Sequence, residues 1–205
     1  MPLRVMSGRF RGRRLFSPAG TDTRPSSGRM RIAVQNILGP GGAEGASVLD
    51  LYAGTGASGI EALSRGARRA LFVEQARVAL GALERNLGTL GLGPKEARVL
   101  RADAVRAAGR GTPLDFEPFD LVFVDPPYGV FRRPADERAL REALGALARR
   151  GALAPGATVI VEHPGDGGLL APPAGLGEVD RRRYSAAGVT FYRRAGGAPP
   201  DPAPD

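Results

Sequence analysis

Cysteine is absent from this 205-residue chain, histidine occurs once, at His163, and lysine once, at Lys95. Without thiols there can be no disulfide, thiolate zinc site or iron–sulfur cluster. A single histidine argues against a histidine-rich metal site and against an acylating Ser-His-Asp site. Placed at a strand end before Pro164, His163 reads as structural. No apolar run approaches the roughly 20 residues of a membrane span. Arginines interrupt residues 4–14, so no signal-peptide pattern is visible there. These absences suit a cytoplasmic protein without a metal, and 42% apolar residues suffice for the core of one domain.

The formal net charge is +8, and its placement is more informative than its size. Residues 1–33 hold eight arginines against one acid, Asp22, a local excess of +7. The other 172 residues hold 21 basic and 20 acidic side chains. Compositional drift toward arginine would scatter these residues, so their crowding marks a polyanion-binding surface. Arg4, Arg9, Arg11, Arg13, Arg14 and Arg24 are the candidate nucleic-acid contacts.

Three segments are expected: a basic hairpin over 1–22, an α/β domain over 23–194 and a disordered tail over 195–205. Leu3–Ser7 and Arg13–Ser17 read as strands joined around Gly8 and Gly12. A helix can start at Arg24-Pro25-Ser26-Ser27 and run to Ile37-Leu38. Strands then alternate with helices. The strands are Ser47–Tyr52, Ala70–Glu74, Ala97–Leu100, Phe119–Val124 and Thr158–Glu162; the helices are Ser58–Arg65, Ala76–Leu90 and Glu137–Arg149. Such alternation means a doubly wound, mostly parallel sheet with a Rossmann-like order. Glu178–Tyr184 and Gly188–Arg193 read as a closing antiparallel hairpin that packs Tyr184 and Tyr192.

Strand, turn and helix meet at Leu49–Gly59, where Gly54, Gly56 and Gly59 satisfy G-x-G-x-x-G. Glycines there allow a tight turn and close approach of a ligand. Glu74, 20 residues after Gly54, is placed to accept hydrogen bonds from ribose hydroxyls. This much fits NAD as well as S-adenosylmethionine (AdoMet). Asp50 separates them: D-x-x-x-G-x-G resembles motif I of AdoMet-dependent methyltransferases, in which the acid organises the loop for the methionine end. Asp103 resembles the acid that contacts the adenine amino group, and it also suits a helix N-cap. Tyr52, Ala53 and Ala104 flank these acids and are assigned to the same cofactor site.

Asp125-Pro126-Pro127-Tyr128 follows the strand Phe119–Val124 and carries the chemistry. The lone pair of an exocyclic base nitrogen is delocalised into the ring. Acceptors on its N–H groups, the Asp125 carboxylate and the Pro126 carbonyl, localise that lone pair toward a methyl donor. Pro126 and Pro127 stiffen the loop, and Tyr128 can stack on a base turned out of its helix.

Taken together, these segments resemble the RsmD family, the small-subunit ribosomal RNA (guanine(966)-N2)-methyltransferases. The resemblance runs from Leu3 to Arg193. It is carried by Arg4–Leu15, Asp22–Pro25, Gln35–Leu38, Asp50–Gly66 and Phe119–Tyr128; S-G-x-x-x-G-R-x-L and T-R-P are its most specific parts. It implies methyl transfer from AdoMet to N2 of a guanine in 16S rRNA, within the small ribosomal subunit or a late assembly intermediate. It also implies that Arg24 lies near the methionine end of the cofactor. Ser26-Ser27-Gly28 departs from the acid-containing stretch usual after Arg-Pro. Three rivals remain open: a DNA adenine-N6 methyltransferase, a NAD-dependent oxidoreductase and a non-catalytic RNA-binding protein.

Overall fold

The computed structural model describes residues 3–18, 39, 41–109, 113–184 and 186–196. The helix expected from Arg24, Arg24 itself and the tail beyond 196 lie outside the described residues.

From Ser47 onward strands and helices alternate: β1 (Ser47–Leu51), α1 (Ala57–Ser64), β2 (Arg69–Glu74), α2 (Arg77–Thr89) and β3 (Ala97–Arg101). Next come α3 (Ala104–Gly109), β4 (Phe119–Val124), α4 (Gly129–Arg132), α5 (Pro134–Arg149) and β5 (Leu153–Pro164). β6 (Leu176–Tyr184) and β7 (Ala187–Arg194) follow as an antiparallel pair. They form one seven-stranded sheet in the order β3-β2-β1-β4-β5-β7-β6. Neighbours from β3 to β5 are parallel, and β7 runs antiparallel to β5. The mostly parallel Rossmann-like sheet and its antiparallel ending are as expected.

Every residue of β1 is buried, as is every residue of β4 except Asp120. Strands this apolar must be covered on both faces, which places them at the sheet centre. Alternate side chains feed two cores. Val48, Phe72, Ile60, Leu63 and Leu83 share one; Leu49, Leu71, Leu140, Leu144 and Leu147 share the other. In α5, Pro134 starts the helix and Asp136 and Glu137 occupy the first turn, which suits the positive end of the helix dipole. Leu140, Leu144 and Leu147 then recur on one buried face.

Three local features differ from expectation. Helices α3 and α4, of six and four residues, are too short to show a 3.6-residue period. Strand β5 begins at Leu153, which pairs with Phe119 before the register shifts at Leu121↔Thr158. Pro155-Gly156, a turn signal in isolation, here falls inside a strand, where the register with β4 is interrupted. Among the described residues of the N-terminal hairpin only Arg4↔Arg14 forms a β-bridge, and a 3-10 turn at Gly8–Phe10 fills the tip.

The hairpin is docked on α1. The Glu61 carboxylate accepts the Met6 N–H at 2.8 Å, and the Ser64 hydroxyl accepts the Phe10 N–H at 2.9 Å while donating to the Ser7 carbonyl. Val5 and Leu15 are buried in the first core. Gly8, at φ 76°, lies so near α1 that a Cβ there would sit 1.7 Å from the Ser64 carbonyl oxygen. Only glycine fits that contact.

Candidate active site

Parallel register aligns Leu51 with Val73 and Val124, and Glu74 with Arg101. The carboxyl ends of β1 to β4 therefore share one edge. Residues 52–56, 75–76, 102–103 and 125–128 open from it. Ligands of open α/β sheets bind outside this edge. The structure thus brings together Asp50, Tyr52, Ala53, Gly54, Gly56, Glu74, Asp103, Ala104 and Asp125–Tyr128.

Asp50 is 3% exposed, and its Oδ2 accepts the Gly59 N–H of α1 at 2.9 Å. The carboxylate reaches across the turn and fixes the helix start against the strand. Gly59 has no room for a side chain: a Cβ would lie 2.4 Å from Phe72 Cε1 and 3.1 Å from Asp50 Oδ2. Gly56, at φ 80°, takes the left-handed conformation that ends the turn.

Glu74 grips the same turn from the next strand. Its Oε2 accepts the Gly54 N–H, and its Oε1 accepts the Gln75 and Ala76 N–H groups, each at 2.8 Å. A carboxylate offers about four acceptor positions, so capacity remains for a ribose hydroxyl. Asp103 caps α3, its Oδ1 accepting the Arg106 N–H at 2.8 Å. The N-cap bond uses one carboxylate oxygen of this half-buried residue and leaves the second as a further acceptor. Tyr52, at φ 60°, lies beside it. Burial, and then the charges of Asp103 and Asp136, push the Tyr52 hydroxyl up to about 12. It therefore stays protonated as a donor at neutral pH.

Asp125 is exposed at the mouth of the site and Pro126 is buried behind it. The Asp125 N–H points to the Leu51 carbonyl at 3.4 Å, tying the D-P-P-Y loop to β1. The Val130 N–H donates to Pro127 O at 2.9 Å and the Phe131 N–H to Tyr128 O at 3.2 Å, so the loop runs directly into α4. His163, 2% exposed at the end of β5, supports α4 through an edge-on contact with Phe131 at 6.1 Å. Its Nδ1 bonds Pro164 O at 2.7 Å and its Nε2 bonds Thr190 Oγ1 at 2.9 Å. A carbonyl can only accept, so Nδ1 carries the proton. Burial lowers the His163 pKa, which keeps the ring neutral. Tyr192 is fully buried in the second core.

The basic residues divide. Arg4 donates to Gly12 O at 2.8 Å, Arg13 to Thr89 O at 3.0 Å, and Arg9 pairs with Glu96 at 2.5 Å while stacking on Phe10. Arg11 and Arg14 are exposed, and their side chains have no hydrogen bond or ion pair among the described residues. The tip near Gly8 lies against Ser64, at the end of α1 away from the glycine-rich turn. Sequence reasoning missed Glu61, Ser64 and Asn86, which fasten the hairpin. Their signal was a polar residue within an otherwise apolar helix face.

The sheet order, the glycine-rich first turn and D-P-P-Y after β4 define the class as Rossmann-like methyltransferases. A family model described as "Conserved hypothetical protein 95" matches residues 3–193. Ribosomal RNA small subunit methyltransferase D of Escherichia coli is 38% identical over 192 residues, spanning 93% of this chain and 88% of the relative. The Haemophilus influenzae protein of the same name is 30% identical over 170 residues, spanning 83% of each. A solved structure of yhhF from Escherichia coli superposes with a TM-score of 0.79 at 34% identity, over 96% of this chain and 100% of that one. The chain belongs to this family, the RsmD methyltransferases.

Proposed function

We propose that the protein transfers a methyl group from AdoMet to N2 of a guanine in small-subunit rRNA, in the cytoplasm, on the subunit or a late assembly intermediate. The observation that carries this reading is the single edge shared by Asp50, Glu74, Asp103 and Asp125. Asp50 and Glu74 lie at the ends of β1 and β2, and Asp103 and Asp125 lie in the loops that follow β3 and β4. A dinucleotide needs free N–H groups at the start of α1 for its pyrophosphate, and here the buried Asp50 carboxylate already takes the Gly59 N–H and would repel that anion. AdoMet brings hydroxyls, amino groups and a cationic sulfonium, all of which favour carboxylate neighbours. The donor set therefore fits AdoMet and disfavours NAD.

When bound, AdoMet supplies an electrophilic methyl carbon and a thioether leaving group. Glu74 receives the ribose hydroxyls, Asp103 the adenine amino group, and the turn ordered by Asp50 receives the methionine end. The Asp125 carboxylate and the Pro126 carbonyl accept the two N–H groups of the guanine amine and aim its lone pair. Tyr128 stacks on the extruded base. Methylation would leave the nitrogen acidic, so its proton would pass to the Asp125 carboxylate or to water and no strong base is required. Exposed arginines of the hairpin, Arg11 and Arg14 foremost, contact phosphates away from the chemistry and supply affinity rather than base choice.

Incubation with labelled AdoMet and small subunits lacking the modification, followed by mapping of the labelled nucleotide, tests the proposal. Label on N2 of one guanine supports it; label on an adenine, or none, rejects it.

A further inference from the structure

Asn86 sits on α2 in the apolar row of Leu80, Leu83 and Leu87, and is 2% exposed. A buried amide is costly unless its hydrogen bonds are made. Here they are. Oδ1 accepts the Phe16 N–H at 2.6 Å, while Nδ2 donates to Phe16 O at 3.1 Å and to Thr55 O at 2.9 Å. These partners define the amide's orientation, because the flipped amide would set N–H against N–H and oxygen against two carbonyls.

Pairing with both polar groups of Phe16 copies a rung of a β-ladder, so α2 holds the end of the hairpin. The neighbouring Arg85 guanidinium stacks on the Phe16 ring at 4.3 Å. The third bond goes elsewhere: Thr55 lies between Gly54 (φ 57°) and Gly56 (φ 80°), inside the turn assigned to the cofactor. Leu83, one helical turn before Asn86, presses under the same turn; a Cβ at Gly56 would lie 2.4 Å from its Cδ1.

We propose that Asn86 is a positioning residue that makes the shape of the AdoMet turn depend on the seating of the N-terminal hairpin. It thereby joins RNA binding to cofactor affinity. The proposal rests on the cofactor reading above. Two glycines leave the turn alternative conformations, and the anchor on the Thr55 carbonyl restricts them from one side while Glu74 holds the Gly54 N–H from the other. Because one amide holds Phe16 and Thr55, a shift of the hairpin moves the turn. The coupling is reciprocal: a change in AdoMet affinity on RNA binding implies the same change in RNA affinity on AdoMet binding.

Asn86→Asp is the isosteric test. It keeps an acceptor for the Phe16 N–H but turns an oxygen toward the Phe16 and Thr55 carbonyls. Phe16→Pro is its complement: it removes the N–H, together with the ring, at the hairpin end and leaves Asn86 and Thr55 in place, and Phe16→Ala, which loses the ring alone, is its control. AdoMet is titrated by calorimetry into each full-length variant, and methyl transfer to small subunits is followed against AdoMet concentration. Asn86→Asp is expected to raise the AdoMet Kd and KM about tenfold, and Phe16→Pro about threefold. kcat at saturating AdoMet should stay within about twofold of wild type. A merely structural asparagine would lower the melting temperature without moving the cofactor KM. A folded Asn86→Asp protein with wild-type AdoMet affinity overturns the proposal. Wild-type affinity in Phe16→Pro overturns it too, including the case in which the aspartate variant does not fold. Failure of the wild-type protein itself to bind AdoMet would instead overturn the cofactor reading.

Discussion

The carboxyl edge of the sheet and the N-terminal hairpin are the two regions that charge marks out in this sequence, and they are built in opposite ways. At the edge, each acid beside the turn is held by backbone N–H groups: Asp50 by Gly59, Glu74 by Gly54, Gln75 and Ala76, and Asp103 by Arg106. Their positions are set before any ligand arrives, which is the condition for preorganised electrostatics. In the hairpin the arginines are divided. All five are exposed, but the side chains of Arg4, Arg9 and Arg13 have partners, whereas those of Arg11 and Arg14 have none among the described residues. At the edge the acids gather at one end of the sheet; in the hairpin the basic side chains divide into those with a bonding partner and those without one among the described residues.

The largest effect expected from breaking this contrast is at Asp125. Asp125→Ala should lower kcat by on the order of 10² or more, as loss of a preorganised polar contact does, with AdoMet affinity nearly unchanged. Methyl incorporation at saturating AdoMet measures it, and near-normal turnover would remove Asp125 from the chemistry.

Glu74→Gln should act on the cofactor instead. The amide oxygen can serve Gln75 and Ala76, but its NH2 then meets the Gly54 N–H and loosens the turn. AdoMet affinity should fall about tenfold, with a stability loss of about 1–3 kcal/mol. Calorimetric titration and urea unfolding read the two effects separately. A fall in kcat with unchanged affinity would place Glu74 in the wrong role.

His163 sharpens the comparison by pH. Burial lowers its pKa below the ordinary value of 6.5, so the unfolded chain takes up a proton more readily than the folded one. The stability it contributes is therefore present above pH 6.5 and is lost as pH falls through the lowered folded value. His163→Gln should flatten the decline in urea midpoint between pH 6.5 and 5. An identical decline in both proteins would show that carboxylates alone produce it.

The smallest effects should separate the arginines. Arg11→Ala with Arg14→Ala should reduce the log–log salt slope of small-subunit binding by about 0.7–0.9 per lost phosphate contact, with the melting temperature unchanged. Arg9→Ala with Arg13→Ala should also lower stability, by about 0.2–1 kcal/mol for the exposed Arg9–Glu96 pair. Equal stability changes in the two double mutants would mean that the division seen in the structure has no energetic meaning.

Local patterns in the sequence were enough for the alternation of strands and helices, the glycine turn, the D-P-P-Y loop and the closing hairpin. Each depends on residues within about one element of one another, where periodicity and turn chemistry leave a direct trace. Short elements escaped because α3 and α4 span too few residues for a period to form. What only the tertiary structure decided is which distant groups meet. Glu74 closes on Gly54 across 20 positions, and Asn86 bonds Thr55 and Phe16 across 31 and 70. Nor did spacing reveal that some of the exposed hairpin arginines have side-chain partners while others have none among the described residues. Those outcomes follow from packing, where a side chain's partner is whatever the folded sheet and helices bring within 3 Å, and no local repeat in the chain records that choice.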